Sequence, residues 1–141
     1  MGAVTIRRAN NDDSSRIGEL RSMLHASMKS FRGGELLWNE KHQTPDMHRT
    51  TVYVAEIDDY VIGYMVLAIR VDQIEIFEVF VDSDMRSIGA GDALVHAAIE
   101  AASAESVTAL VADALPGDRD GKNLFERAGL ISQRLIMRRE T

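Results

Sequence analysis

Residues 86 to 91 are the segment of this chain best suited to chemistry, because they read Arg-Ser-Ile-Gly-Ala-Gly. They follow a β-branched and aromatic run, Gln73 to Val81, and precede a helical pattern, Asp92 to Ala104. An Arg-x-x-Gly-x-Gly turn that opens a helix presents unpaired backbone N–H groups and the positive end of the helix dipole at one place. Glycine lets the backbone approach phosphates without an intervening Cβ. The spacing therefore predicts a pyrophosphate site.

Two other phosphate-binding loops do not fit the sequence. A dinucleotide-binding Rossmann fingerprint requires a third glycine where Leu94 stands, and it normally lies in the first βαβ unit of a domain. The segment from Gly117 to Asn123 resembles a P-loop, but it is one residue short and lacks the hydroxyl that would hold Mg²⁺. We therefore do not expect nucleotide hydrolysis.

The elements that position this loop begin with a predicted strand over Val4 to Arg8. Asp12 or Asp13 is then expected to cap a helix. Its apolar residues recur at helical spacing: Ile17, Leu20, Leu24, Met28 and Phe31. A break at Gly33-Gly34 precedes a short second helix.

The middle of the chain is predicted to form a hairpin and a crossover. Val52 to Ile57 and Tyr60 to Arg70 pair across Asp58-Asp59, because aspartate tolerates tight-turn dihedrals. The strand from Gln73 follows, and a helix joins it to a strand over Ser106 to Ala112. A helical crossover makes these two strands parallel.

The last part of the chain is predicted to hold one helix and one more strand. Asp118 can cap the helix, and Gly129 ends it at the C′ position. Leu130 to Arg139 is then expected to form a final strand or a short strand pair.

In several of these segments the chain resembles the GNAT superfamily of acetyl-CoA-dependent N-acetyltransferases. The family's pyrophosphate loop, Gln/Arg-x-x-Gly-x-Gly/Ala, matches Arg86 to Gly91. Val4 to Ala9 looks like its opening strand, and Val61 to Tyr64 is similar to its Val-Gly-aromatic third strand. Leu124 to Leu130 looks like its Leu-Tyr-Glu-x-x-Gly-Phe helix ending. Four matches in the correct order extend the resemblance over almost the whole chain.

The resemblance implies one GNAT-like domain over residues 1–141. Its fold would be α/β: a mixed, mostly antiparallel central sheet with a parallel strand pair at a splayed cofactor cleft, flanked by helices. The cofactor would be acetyl-CoA, with CoA as the product, and its pantetheine would contact Phe80 and Val81. The pyrophosphate would lie on the loop and helix start: Arg86, Ser87, Ile88, Gly89, Ala90, Gly91, Asp92 and Ala93.

Acylation of an amine requires loss of a proton, and Glu75 and Glu78 are the candidate bases on the fourth strand. A strand alternates faces, so without a bulge these carboxylates point to opposite sides and only one faces the cleft. Glu75 lies eleven positions before Arg86, an offset that resembles the catalytic glutamate of the family's histone-acetylating branch. We predict Glu75 as the base and Glu78 as the second candidate. Deprotonation through water wires is the alternative.

The sequence departs from the family at the position of the usual general acid. The tyrosine that faces the cofactor sulfur in the family falls on Phe125, and a phenyl ring cannot donate a proton. A thiol has a pKa of about 8.5, so its thiolate leaves without help more readily than an alkoxide. The acid is therefore lost or moved to Tyr53, Tyr60 or Tyr64.

The acceptor is expected to enter near Phe31 and Trp38, which flank the glycine pair; packing in the core is the other interpretation of these two rings. The identity of the amine stays open among small molecules, protein amines and antibiotics. Transfer to a hydroxyl, or of a longer acyl group, is also open. The alternative function is a non-catalytic acyl-CoA-binding regulatory module of the same fold.

Composition excludes several other classes. The 141 residues carry a net charge of −6, which argues against a nucleic-acid partner. No apolar run is long enough to span a membrane, and the lack of cysteine makes the cytoplasm the expected location. His42 and His48 with Asp46 resemble metal spacing, but we expect no metal site because no third histidine is near. A homodimer is left open.

Overall fold

The computed structural model describes residues 2–43 and 49–141. Its sheet has five strands in the order β1-β2-β3-β4-β5. They are β1 Thr5–Arg8, β2 Arg49–Ile57, β3 Tyr60–Ile69, β4 Gln73–Val81 and β5 Ala109–Ala112. The pairs β1–β2, β2–β3 and β3–β4 are antiparallel, and β5 runs parallel to β4. The predicted mixed, mostly antiparallel sheet with one parallel pair is confirmed.

Helices cover both faces of this sheet. They are α1 Ser14–Lys29, α2 Gly34–Gln43, α3 Ala90–Ala104 and α4 Arg119–Arg127. On one face a core cluster forms around Leu94 and Val95 of α3, and on the other Leu20 of α1 packs with Val54 and Tyr64 of the sheet. None of the helices in the described ranges is long and apolar enough to cross a membrane.

Local signals explain where several elements begin and turn. Asp58 and Asp59 have φ angles of 50° and 64°, the left-handed conformation that a two-residue hairpin of type I′ requires. Asp118 caps α4 by accepting a hydrogen bond from the Gly121 N–H, as predicted. Asp13 is the N-cap residue of α1, one of the two positions predicted, but its side chain makes no cap hydrogen bond to that helix. It forms a capping box with Asn10 around the 3-10 turn Asn11–Asp13 and is paired with Arg7 at 2.8 Å.

Strand β4 has two irregularities at the same place. Val66 of β3 pairs with Glu78 and Leu67 pairs with Ile76, so Phe77 is an extra residue without a partner on β3. Pairing with β5 also ends here, because Ile76 opposite Ala112 is the last pair of the parallel ladder. Beyond this point, β4 therefore continues to Val81 paired with β3 but not with β5.

The C-terminal segment is where the fold departs most from the prediction. Leu130 to Arg139 forms neither a strand nor a strand pair. The chain leaves α4 through Gly129, whose φ of 92° ends the helix, and continues as an exposed, irregular segment. A strand needs an edge to pair with, and the chain does not return to the open edge of β5.

The turn between α1 and α2 yields a first prediction. A Cβ on Gly34 would collide with the backbone carbonyl of Met28, whereas a Cβ on Gly18, within α1, would meet nothing within 4 Å. Gly34→Ala should therefore lower the free energy of unfolding by about 3 kcal/mol or more, because the backbone must move. Gly18→Ala should raise it by about 1 kcal/mol, through helix propensity. Urea unfolding measures both; equal effects would show that the α1–α2 turn can relax around a methyl group.

Candidate active site

A cleft of about 560 Å³ lies where β4 and β5 separate. The free part of β4 forms one wall, and the loop before α3 forms its end. Asp113 and Leu115, which follow β5, lie on the opposite side with Leu124 and Phe125 of α4. This opening has a strand with unused backbone groups along it and a helix N-terminus at one end, which suits an extended ligand with an anionic group.

The loop at the end of the cleft is held in a strained conformation. Ser87 has φ of 72° and Gly89 has φ of 89°, both in the left-handed region. A Cβ on Gly89 would meet no atom within 4 Å, so glycine is required there by the backbone and not by packing. Helix α3 begins at Ala90, and the N–H groups of its first turn have no acceptor in a preceding turn. They are available for an anion.

Most of the predicted cofactor residues line this cleft, and two do not. The eight that do are Phe80, Val81, Arg86, Ser87, Gly89, Ala90, Gly91 and Asp92. Ile88 packs against the core on the α3 face of the sheet. Ala93 lies outside the cleft, and its N–H donates to the carbonyl of Gly89 at 3.0 Å, so it is already used by the helix.

Arg86 is anchored at the end of β4. Its Nε donates to the carbonyl of Val81 at 3.1 Å, and its guanidinium lies over the ring of Phe80, 5.1 Å from the centroid. Within the described residues its two terminal nitrogens donate no hydrogen bond. The side chain is therefore positioned by Nε and keeps its forked donors for a ligand in the cleft.

The bulge at Phe77 decides where the two candidate carboxylates point. Because one extra residue shifts the alternation, Glu75 and Glu78 lie on the same face of β4, toward α1 and α2. The expectation that they point to opposite sides applied only to a strand without a bulge, but the expectation that only one of them faces the cleft agrees with the structure. Glu78 lines the cleft, and Glu75 does not.

Glu78 is a buried carboxylate with three donors, and its side chain is 5% exposed. Its Oε1 accepts from Arg21 Nε at 2.8 Å and from the Tyr64 hydroxyl at 2.5 Å, and its Oε2 lies 3.1 Å from His42 Nε2. Burial raises the pKa of Glu78, but the hydrogen bonds from Arg21 and Tyr64 outweigh it and hold that pKa below 4.5. The ionised form therefore stabilises the fold above pH 4.5, and this contribution is lost as the pH falls through the lowered pKa.

His42 is placed between two acceptors. Its Nδ1 lies 2.8 Å from the carbonyl of Trp38, one helical turn earlier, and its Nε2 faces Glu78. Only the imidazolium form can donate to both. Its ring also stacks on Trp38, with centroids 4.1 Å apart. The signal that sequence reasoning missed is the spacing of Trp38, Lys41 and His42, which places them on one side of α2.

Glu75 is held away from the cleft by two cations. Arg70 pairs with it through one guanidinium nitrogen, and Lys41 Nζ lies 3.4 Å from its Oε2. Lys41 itself lines the cleft, donates to the carbonyl of Phe77 at 2.7 Å and lies 3.6 Å from Asp113. Lys41 thus bridges the two strands where they separate, a role that the sequence did not reveal.

The aromatic candidates divide between cleft and surroundings. Phe31 and Phe125 line the cleft. Trp38 lies outside it, stacked between His25 and His42 with centroids 4.2 and 4.1 Å away.

The three tyrosines considered as replacement acids all lie outside the cleft. Tyr64 is fully buried and donates to Glu78, and burial, followed by the Glu78 charge, raises its pKa far above the ordinary value.

In the described ranges no group of three or more metal-ligating side chains lies close enough to hold an ion. Asp46 and His48, whose spacing from His42 resembles that of metal ligands, fall outside those ranges.

Comparison with solved structures identifies the fold. Aminoglycoside acetyltransferase AAC(6')-Iy, in complex with a bisubstrate analogue of CoA and acetylneamine, is 20% identical, covers 99% of both chains and has a TM-score of 0.73. Ribosomal-protein-alanine N-acetyltransferase from Brucella melitensis biovar Abortus 2308 is 19% identical over 99% of both chains, with a TM-score of 0.68. A tetramutant of the BH1408 protein from Bacillus halodurans, 19% identical over 97% of this chain and 99% of its own, has a TM-score of 0.76.

Sequence comparison gives the family. No curated protein sequence matches the chain. The model of the acetyltransferase (GNAT) family matches residues 18–130, which include most of α1, the strands from β2 to β5, the loop before α3, and α4. The chain therefore belongs to the acetyltransferase (GNAT) family.

Proposed function

We propose that this protein transfers the acetyl group of acetyl-CoA to a primary amine. The observation that carries the proposal is the separation of β4 from β5 beside a helix N-terminus that opens with Gly89-Ala90-Gly91. The backbone of residues 77 to 81 is not paired with β5. Apart from the carbonyls of Phe77 and Val81, which accept from Lys41 and Arg86, it is suited to pair with the amide groups of pantetheine. The first N–H groups of α3 and the free nitrogens of Arg86 suit the pyrophosphate. The AAC(6')-Iy structure with a CoA bisubstrate analogue supports the same cofactor.

The reaction forms a bond between the amine nitrogen and the thioester carbonyl carbon, and it breaks the bond from that carbon to sulfur. Only a neutral amine has the lone pair that attacks, and Glu78, whose pKa is lowered despite burial by the hydrogen bonds from Arg21 and Tyr64, is too weak a base to take the proton of an ammonium ion. The amine therefore loses its first proton to solvent. After attack, its nitrogen becomes strongly acidic, so even a weakly basic carboxylate can take the second proton.

We assign that second proton transfer to Glu78 and not to Glu75. Among the residues that the structure describes, Oε1 of Glu78 accepts from Arg21 and Tyr64, whereas Oε2 has His42 as its one partner and keeps an acceptor site for an amine N–H. Its three donors fix the carboxylate in one orientation at the wall of the cleft. Glu75 has no such access, because Arg70 and Lys41 hold it outside.

Departure of sulfur proceeds in this proposal without a side-chain acid. Phe125, which matches the family's tyrosine in the motif from Leu124 to Leu130, lines the cleft, and none of the three tyrosines does. The thiolate leaves as such and is protonated by water, because its conjugate acid has a pKa of only about 8.5. The acceptor is an amine whose identity is open; the aminoglycoside and ribosomal-protein enzymes of the same fold act on very different amines.

Substitutions at Gly89 and, as a control, at Gly129 test cofactor binding. Acetyl-CoA should raise the melting temperature of the native protein, because a ligand that binds only the folded state stabilises it. Gly89→Leu should abolish this shift by placing a side chain in the cleft. Gly129→Leu is the matched control, since Gly129 has φ of 92°, is equally open and does not line the cleft. A similar loss in both variants would mean that backbone strain, not obstruction, causes it, and no shift in the native protein would refute the proposal.

The two carboxylates test the proton transfer. Glu78→Gln should lower kcat/KM by about 10²-fold, and Glu75→Gln by several-fold at most. The ratio of native to Glu78→Gln rates should be constant between about pH 6 and 9, because Glu78 stays ionised when its pKa is below 4.5. Acetyl-CoA affinity serves as the control. A larger loss in Glu75→Gln would move the base there, and full activity in both variants would indicate deprotonation through water.

Phe125 tests the leaving group. The rate should rise with pH to a plateau set by the amine, without a fall near pH ~10 from a tyrosine acid. Phe125→Tyr should leave the rate unchanged or raise it, because the ring already lies in the cleft. A fall at alkaline pH that Tyr53→Phe, Tyr60→Phe or Tyr64→Phe removes would show that the acid has moved. If acetyl-CoA binds but no amine supports turnover in either protein, the non-catalytic acyl-CoA-binding module is the correct function.

A further inference from the structure

Four large apolar side chains line the cleft without belonging to the core of the protein. They are Met28 of α1, Phe31 between α1 and α2, Leu37 of α2, and Leu115, which follows β5. Each is half-buried, and none of the four lies in either core cluster or packs against one. Part of their apolar surface therefore faces the cleft, where a bound group could remove it from water. These four residues form an apolar wall.

The apolar wall is continuous because two turns meet at it. A Cβ on Gly34, at the start of α2, would lie 3.3 Å from Leu115 Cδ1, and a Cβ on Gly117 would lie 3.7 Å from Phe31 Cδ1. The α1–α2 turn therefore touches the turn after β5 at two points. Its backbone is paired within itself, since the N–H of Phe31 donates to the carbonyl of Met28 and the N–H of Gly34 donates to that of Phe31, both at 3.1 Å. The turn thus offers a ligand mainly apolar side chains.

The carboxylates on the α1–α2 side of the cleft are already next to cations. Glu78 is paired with Arg21 and His42. Asp113 lies 3.6 Å from Lys41. Neither carboxylate is left as an unpaired charge that could hold a second ammonium group of an acceptor.

The other carboxylates of the lining belong to the opposite face of the sheet, which α3 and α4 cover. Asp92 of α3 is paired with Arg127 at 3.0 Å. Asp118 accepts from the N–H of Gly121 and, like Asp120, lies at the start of α4, where the helix dipole stabilises negative charge. These side chains therefore stabilise helix ends on the cofactor side.

We propose that the acceptor is a monoamine with an apolar alkyl or aryl group, which covers the apolar wall while its nitrogen lies beside Glu78. This inference rests on the proposed acetylation of an amine in the same cleft. The wall and Glu78 line one cleft, so the apolar group and the amine belong to one molecule. A polyamine or an amino sugar would place a second ammonium group or hydroxyl groups against the wall and lose their hydration without new partners.

Kinetics with 1-aminohexane and 1,5-diaminopentane test the proposal, because the two chains have the same number of non-hydrogen atoms and differ in a terminal methyl or ammonium group. The value of kcat/KM should be at least about 10²-fold higher for 1-aminohexane, mainly through KM, since apolar contact stabilises ground state and transition state alike. Each methylene added between 1-aminopropane and 1-aminohexane should raise kcat/KM by up to about fourfold. Equal values for the two amines, or a preference for the diamine, overturns the proposal.

Binding of the same two amines to the CoA-saturated protein, measured by calorimetry, separates this inference from the proposed function. Tighter binding of 1-aminohexane without turnover of any amine would support the apolar wall as its site and refute acetyl transfer. Binding of 1-aminohexane that is no tighter than that of 1,5-diaminopentane overturns the inference, whether or not either amine is acetylated.

A substitution in the wall should reverse the preference. Leu37→Asp should raise kcat/KM for 1,5-diaminopentane and lower it for 1-aminohexane, each by about tenfold, because the new carboxylate can pair with the second ammonium group. Leu36→Asp is the matched control: Leu36 is the neighbouring residue of α2, is 37% exposed and does not line the cleft, so both values should stay unchanged. Circular dichroism checks that both variants are folded. An unchanged preference in folded Leu37→Asp, or the same change in both variants, overturns the proposal.

Phe31→Ala gives a test that introduces no charge. It should lower kcat/KM for 1-aminohexane by about tenfold and that for 1-aminopropane by much less, because the shorter chain covers less of the wall. A loss that is equal for the long and the short amine would mean that Phe31 does not contact the chain, and it overturns the proposal.

Discussion

The site depends on what happens to β4 at Phe77. At this residue the ladder to β3 takes up an extra residue, and one position earlier the ladder to β5 ends. The first event turns Glu78 toward α1 and α2, and the second frees the backbone of the next residues for a ligand. Lys41 stabilises this part of β4, because it donates to the Phe77 carbonyl and lies near the carboxylates of Glu75, on β4, and Asp113, which follows β5. A bulge and a strand separation at one point thus bring the Glu78 carboxylate and an unpaired strand edge to the same cleft.

Glu78 connects these two sides electrostatically. Its donors come from α1, α2 and β3, so the carboxylate joins three elements around the wall of the cleft. Removing one member of such a buried network leaves the others with unpaired polar groups, which is costly. The network therefore holds the carboxylate still and ionised, and the fixed orientation makes its low basicity tolerable. In the proposed reaction, a carboxylate held close to the amine in a fixed orientation can take a proton despite its low pKa, because the nitrogen formed after attack is itself strongly acidic.

Local sequence signals predicted most of the fold. The aspartate turn and the crossover helix depend on nearby residues and are confirmed, and the glycine loop lies at the start of α3 as predicted, while its binding of pyrophosphate stays a prediction. The bulge depends on cross-strand packing, although the sequence carries a trace of it: apolar residues at 74 and 76 give way to 79 and 81, a shift in phase. The partners of Glu78 come from elements up to 57 residues away, which periodicity cannot register. The prediction of a last strand over Leu130 to Arg139 was wrong for a related reason, because strand propensity does not determine which sheet edge a segment will pair with.

Charge within the cleft constrains how an anionic cofactor can be held. The lining contains Lys41, Arg86 and Arg127, but also Glu78, Asp92, Asp113, Asp118 and Asp120. Arg127 is paired with Asp92 at 3.0 Å, and Lys41 is engaged with the strands, so Arg86 is the cation best placed for phosphates. Side-chain charge alone would make the cleft a poor anion site. An anion in this cleft therefore depends on the backbone N–H groups and dipole of α3, whose N-cap residue, Gly89, has no side chain that could accept from them. The requirement for glycine at position 89 follows from this reliance on the backbone.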